Sequence, residues 1–147
     1  MTNQPITVGT LEYVSLAKLG VQEVLAKVDT GAFSGALHRT DIKVVRRGLT
    51  RKRILKFTPL GDPTLATETD QFVKKHVRSA TGHRAKRYII HTEMTVQGIN
   101  YPIAIGLADR TDLKRAVLMG RRFLRENNMI VDVRINQDLD DEMEQLK

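Results

Sequence analysis

Ala26-Lys27-Val28-Asp29-Thr30-Gly31-Ala32 is the stretch on which the reading of this chain turns. Val24, Ala26 and Val28 alternate with Leu25 and Lys27, the period-two pattern of a strand with one buried face. A carboxylate stands at the end of that strand, where side chains are presented to clefts, and a hydroxyl and a glycine follow. Gly31 permits a tight turn, and Thr30 can hydrogen-bond across a neighbouring loop and hold it still. Taken alone, the triplet reads equally as a surface turn with a solvated Asp. It gains weight from Val117-Leu118-Met119-Gly120-Arg121-Arg122-Phe123-Leu124, an apolar strand that ends in Gly-Arg and enters a helix.

Working outward, period two recurs. Leu55 and Phe57 alternate with Ile54 and Lys56, and Ile90, Thr92, Met94 and Val96 alternate with His91, Glu93 and Thr95. Tyr101, Ile103, Ile105 and Leu107 make another one-sided strand. The turn-like Gln97-Gly98-Ile99-Asn100 before it predicts an antiparallel hairpin. Ala116 to Met119 suits a buried strand. Phe123 and Leu124 among charged neighbours predict two helical turns ending near Asn127-Asn128, and Met129 to Val133 predicts a closing strand. Gly61 to Asp70 is polar and reads as an exposed loop. Many short strands with one late helix predict an all-β fold, a small barrel or sandwich.

Composition sets the class. The 147 residues are 41% hydrophobic and 28% charged, with 10 Gly, 4 Pro and no Cys. That is one globular domain, expected over 1–137, with an acidic tail over 138–147 that is either a short helix or disordered. Disulfides, thiol nucleophiles and Cys-based zinc sites are excluded. No apolar run approaches a bilayer span, and the polar start Met1-Thr2-Asn3-Gln4-Pro5 lacks the basic and apolar parts of an export signal. The expected location is the cytoplasm, with no membrane partner. The net charge is +7, but the last ten residues hold five acids and one base, so residues 1–137 carry +11. Such a body attracts polyanions. With 5% aromatics and no Trp there is little to stack unpaired bases, which places nucleic acid behind peptide as a partner.

Asp-Thr-Gly followed later by apolar residues, Gly-Arg and a short helix resembles the retropepsin-like aspartic peptidases. Val14-Ser15-Leu16, Leu19-Gly20, the segment from Ala26 to Ala32, Ala36-Leu37-His38, Val77-Arg78-Ser79, Gly82-His83, Arg87, Ala108-Asp109-Arg110 and Leu118-Met119-Gly120-Arg121 narrow the resemblance. Their order and spacing are similar to a bacterial family catalogued as ATP-dependent zinc proteases, now viewed as retropepsin-like and often accompanying ATP-grasp glutamate ligases. The resemblance covers roughly residues 11–133 and implies a small closed β-barrel. Relatives usually have Arg-Thr-Ser where this chain has Phe33-Ser34-Gly35, and often an acid in place of Ala85; both departures bear on substrate preference.

The zinc and ATP of the family label find no support in the residues. There is no His-Glu-x-x-His and no phosphate-binding Gly-rich loop, and His38, His76, His83 and His91 lack paired helical spacing. No cofactor is expected. The resemblance implies an aspartic endopeptidase with Asp29, Thr30 and Gly31 as catalytic residues, the Asp working as one of two carboxylates that share a proton. One Asp-Thr-Gly per chain makes the partner Asp29 of a second copy across a two-fold axis, so a homodimer is expected. His38, Gly120 and Arg121 are expected to have structural roles beside the site. Lys74 to Thr95 fits a hairpin whose tip, Ser79-Ala80-Thr81-Gly82-His83, covers the site as a flap. Ala32, Ser79, Thr81, Gly82, Arg84 and Arg87 are then the candidate substrate contacts. The basic flanks, Lys74, Lys75, Arg78, Arg84, Lys86 and Arg87, are either a solvated face or a selector of acidic peptides. Arg46 to Arg53 reads equally as a hairpin surface or a phosphate-contacting patch. The expected substrate is a peptide, acidic or glutamate-extended. The alternatives are a non-catalytic module of the same fold that holds RNA or an acidic protein on its basic surface, and a latent peptidase that needs a partner.

Overall fold

The computed structural model describes residues 4–78 and 84–140. Its strands are β1 (Ile6–Val8), β2 (Leu11–Leu16), β3 (Val21–Val28), β4 (Gly35–Arg47), β5 (Lys52–Pro59), β6 (Thr67–Thr69), β7 (Phe72–Arg78), β8 (Arg84–Val96), β9 (Ile99–Ala108), β10 (Val117–Met119) and β11 (Met129–Val131). One α-helix among the described residues, α1 (Arg121–Glu126), joins β10 to β11. The expected all-β architecture is present, and it is a barrel: β10, β3, β2, β8, β9 and β4 pair in that order, and β4 pairs back to β10. Closure leaves these six strands without a free edge at the site end.

The inward alternate residues do what their spacing predicts. Val14, Leu16, Ala26, Val28, Leu37, Ile90, Met94, Ile105, Leu107 and Met119 are buried together in one core. Between β8 and β9, Gln97 and Gly98 both have positive φ, 51° and 78°, the signature of a type I′ turn, which matches the twist of the strands it joins. Strand β4 is long enough to serve two sheets. Residues 35–38 lie in the barrel against β9 and β10, while residues 39–47 pair with β5. A bulge between Thr40 and Lys43, with Asp41 at φ 54°, bends the strand between these two duties.

The segment from Gly61 to Asp70 is a correction to the predicted loop. It holds a 3-10 turn, Pro63–Leu65, started by the Asp62 side chain accepting from the Thr64 N–H at 3.0 Å, and then β6, which pairs with β5. The apolar alternation used to find strands is missing from Thr67-Glu68-Thr69. Cross-strand charge supplies the hold instead: Arg47 pairs with Glu68 and Lys52 with Asp70. The Arg47 hydrogen bond keeps the Glu68 carboxyl below the ordinary carboxylate range, and Lys52 does the same for Asp70.

Both acids are therefore stronger acids folded than unfolded. Their contribution is present above the unfolded pKa of about 4 and is lost as pH falls through the lower folded values. Amide exchange at Thr67–Thr69, compared with β8 amides between pH 7 and pH 3, should show β6 losing protection selectively. Unchanged relative protection across that range would mean the charges contribute nothing to the edge.

Candidate active site

Three neighbouring strands build the site. β10 lies between β3, to which it runs parallel (Leu118 opposite Lys27, Met119 opposite Val28), and β4, to which it runs antiparallel (Val117 opposite Leu37, Leu118 opposite Ala36). The loop 29–34 that joins β3 to β4 must therefore pass over the end of β10. It is tied there by the backbone. The Asp29 N–H donates to the Met119 carbonyl at 2.9 Å and extends the ladder by one residue. The first two N–H groups of α1, which have no partner within the helix, find loop carbonyls: Arg121 N–H donates to Ala32 O at 2.8 Å and Arg122 N–H to Phe33 O at 3.0 Å.

Two glycines make this contact possible. A Cβ on Gly35 would lie 2.6 Å from Leu118 O, and one on Gly120 would lie 2.6 Å from both Phe33 O and Ser34 C. The Gly-Arg motif and the residue that opens β4 are thus small because backbone meets backbone. The Arg121 side chain completes the tie. Its Nη1 donates to Thr30 O at 3.1 Å, and its guanidinium stacks 5.7 Å from the centre of the exposed Phe33 ring.

Within the loop, the Gly31 N–H donates to Asp29 Oδ1 at 2.9 Å, which fixes the carboxylate by one oxygen. The other oxygen, Oδ2, has no hydrogen-bond partner among the described residues. Asp29 is half-buried, while Thr30 and Gly31 are exposed and Ala32 is half-buried beside them. An oriented carboxylate with one oxygen open is what activation of water requires.

His38 lies on β4 just past the loop. Its Nδ1 accepts the Arg110 N–H at 2.9 Å, and its own backbone is held by Ala116 O and the Leu60 N–H. The imidazole thereby pins the 108–115 loop. Arg110 Nε donates to Arg115 O at 2.8 Å. Burial pulls the Arg110 guanidinium below its ordinary pKa, the Arg87 charge pulls the same way, and the Asp29 carboxylate opposes both. Arg110 therefore stands in the field of both, a placement that nothing in its own motif singles out.

Strands β7 and β8 form the predicted hairpin, Phe72 opposite Ile90 through Arg78 opposite Arg84. Its tip, with Ser79, Thr81 and Gly82, lies outside the described residues, as does the tail beyond 140. The register separates two candidates grouped by sequence: positions 84 and 87 are three residues apart on one strand and occupy alternate pleats. Arg87 lies over β9, where a Cβ on Gly106 would meet its Cδ at 2.7 Å. Lys74, on the other pleat, is crowded by Lys86 and, less, by Arg53, which lowers its pKa. The stretch from Arg46 to Arg53 is the β4–β5 hairpin. Arg47 is spent on Glu68 of β6 and Lys52 on Asp70 just past it, and Arg53 stacks 5.3 Å over Phe72.

A depression of about 600 Å³ lined by residues such as Lys43, Lys56, Phe57 and Thr67 is on the β4–β6 flank and does not include Asp29. Among the described residues no group of three or more His, Asp or Glu converges as a metal site, and no helix is long and apolar enough to cross a membrane.

Residues 7–137 match the RimB-like family model, described as retropepsin-like aspartic endopeptidase RimB. Two curated relatives are each named a probable alpha-L-glutamate ligase. One, from Shewanella halifaxensis, is 25% identical over 99% of this chain and 33% of its own length. The other, from Parasynechococcus marenigrum, is 29% identical over 79% of this chain and 26% of its own. The chain thus spans a third or less of those relatives. A solved structure from Legionella pneumophila, Lpg0085 of unknown function, superimposes with a TM-score of 0.67 at 22% identity, covering 90% of this chain and 96% of that one, a likeness of fold.

Proposed function

The chain belongs to the RimB-like family of retropepsin-like aspartic endopeptidases, and from that premise we propose that it hydrolyses peptide bonds with a dyad made of Asp29 from two copies. The observation that carries this reading is the tethered carboxylate. Asp29 is held at the barrel end by Met119 and Gly31, with Oδ2 open and the loop beneath it locked by Gly120 and Arg121. In the dyad one carboxylate is ionised and takes a proton from the attacking water. The other is protonated and polarises the scissile carbonyl. The oxyanion of the tetrahedral intermediate collapses and the amine leaves with a proton from the dyad.

The substrate we propose is an acidic or glutamate-extended peptide. The relatives that contain a segment like this chain are named glutamate ligases, whose product would be such a peptide, and residues 1–137 carry a matching net charge of +11. The cytoplasm, where no disulfide is needed, is the compartment that goes with this reading.

The dimer requirement supplies the test. Specific activity should fall as the protein is diluted below its dimer dissociation constant, in step with the monomer fraction seen by analytical ultracentrifugation. Constant specific activity from a demonstrated monomer would remove the shared dyad.

A further inference from the structure

Two half-buried arginines attach to the same stretch of the β4–β9 pair, where Gly106 stands opposite Ala36 and Ala108 opposite His38, and neither has an acidic ion-pair partner among the described residues. Arg87 lies with its stem along Gly106, where the absence of a side chain leaves room for it. Arg110 is fixed at two points, its backbone N–H on His38 Nδ1 and its Nε on Arg115 O. The first bond holds the backbone and the second occupies the inner nitrogen of the side chain. Nη1 and Nη2, the fork that fits a carboxylate, have no partner among the described residues. Burial lowers the Arg110 pKa first, the like charge of Arg87 adds to that, and the Asp29 carboxylate opposes both. Two exposed arginines elsewhere on the chain do have acids to hand: Arg47 has Glu68 and Arg134 has Asp132.

Two partly desolvated like charges are costly unless an anion joins them. A peptide held over Asp29 brings one kind of anion, the carboxylate. We propose that Arg87 and Arg110 form a carboxylate-binding subsite beside Asp29, which selects peptides with an acidic group next to the scissile bond. This rests on the reading of Asp29 as the catalytic group. In a two-fold dimer the subsite occurs once on each side of the scissile bond, so the preference extends to both flanks. The carboxylate is either a Glu side chain or the peptide's C-terminus.

The test uses four peptides sharing one scissile bond: Glu or Gln flanking it, each with a C-terminal acid or amide. Parent protein should show a higher kcat/KM for peptides with the recognised carboxylate than for their neutral counterparts. Arg110→Gln should reduce that preference ratio roughly 10- to 100-fold, with Arg110→Lys in between. A preference that follows Glu assigns the side chain, and one that follows the free acid assigns the terminus. A ratio unchanged in Arg110→Gln and in Arg87→Gln overturns the subsite while leaving the peptidase reading in place.

A second arm measures anisotropy of labelled tetraglutamate and tetraglutamine peptides on the Asp29→Asn protein, with and without Arg110→Gln. Selective tetraglutamate binding that Arg110→Gln removes, in a protein whose parent hydrolyses nothing, would uphold the subsite and defeat the peptidase reading. Absence of both hydrolysis and selective binding would defeat both. Melting temperatures of the variants separate misfolding from a lost contact.

Discussion

Asp29→Asn should fold as the parent does and hydrolyse peptide at least about 10³-fold more slowly, the scale of a lost general acid–base group. The substitution is nearly isosteric. The amide oxygen can still accept the Gly31 N–H, which lies 2.9 Å from Oδ1, and the Asp29 backbone stays bonded to Met119 O. The loop keeps its shape, and only the ability to take a proton from water is removed. In a shared dyad the loss occurs on both sides at once. Mixing inactive variant with parent should therefore lower activity more than simple dilution does, because heterodimers hold one carboxylate in place of two. Full kcat/KM in the purified variant, with an unchanged melting temperature, would end the shared-dyad mechanism.

How far the sequence could be read differs between strands and site. The β8–β9 hairpin was legible in full because two signals agreed: inward Ile90, Met94 and Val96 on one side of the turn, and Gly98 in the turn itself. β6 was not, since its three residues have no apolar face and are held by pairing to β5 and by charges from β4 and β5. Nor does alternation identify neighbours. Period two says which side chains point inward, but β10 running parallel to β3 and antiparallel to β4 is decided by how the chain returns to the barrel.

In the site, Asp29 and Gly120 were visible through the resemblance, and the structure shows a turn at the first and a close backbone approach at the second. The side chains around them were less so. Arg110 belongs to the Ala108-Asp109-Arg110 segment of the resemblance but takes no role from it, since among Asp109, Asp112, Lys114 and Arg115 a charge carries no mark of where it points. Only the His38 and Arg115 hydrogen bonds reveal that this one is fixed. The register similarly divides Arg84 from Arg87, which the basic composition of the hairpin had joined.

Gly120→Ala should disturb the Asp29 loop by the addition of a single methyl. The backbone angles at 120, φ −90° and ψ 173°, are open to any residue, so the cost is one of space. The new Cβ would lie 2.6 Å from Phe33 O, 2.6 Å from Ser34 C and 2.8 Å from Ser34 O. These are backbone atoms and cannot rotate aside as a side chain would. The loop 29–34 must move, which stretches the bonds from Arg121 N–H to Ala32 O and from Arg122 N–H to Phe33 O. Overpacking of this kind costs roughly 1–3 kcal/mol, a fall in Tm of several degrees for a domain of this size. Activity should suffer more than stability, because a displacement of about 1 Å at reacting groups costs on the order of 10² in rate. Gly98→Ala is the control that separates the two effects. That residue has φ 78°, and a Cβ added to it would meet nothing within 4 Å, so alanine strains the turn without touching the loop. It should lower Tm and leave kcat/KM where it was. If Gly120→Ala kept parental kcat/KM at a temperature where it is folded, the contact between β10 and the Asp29 loop would not be what positions the carboxylate.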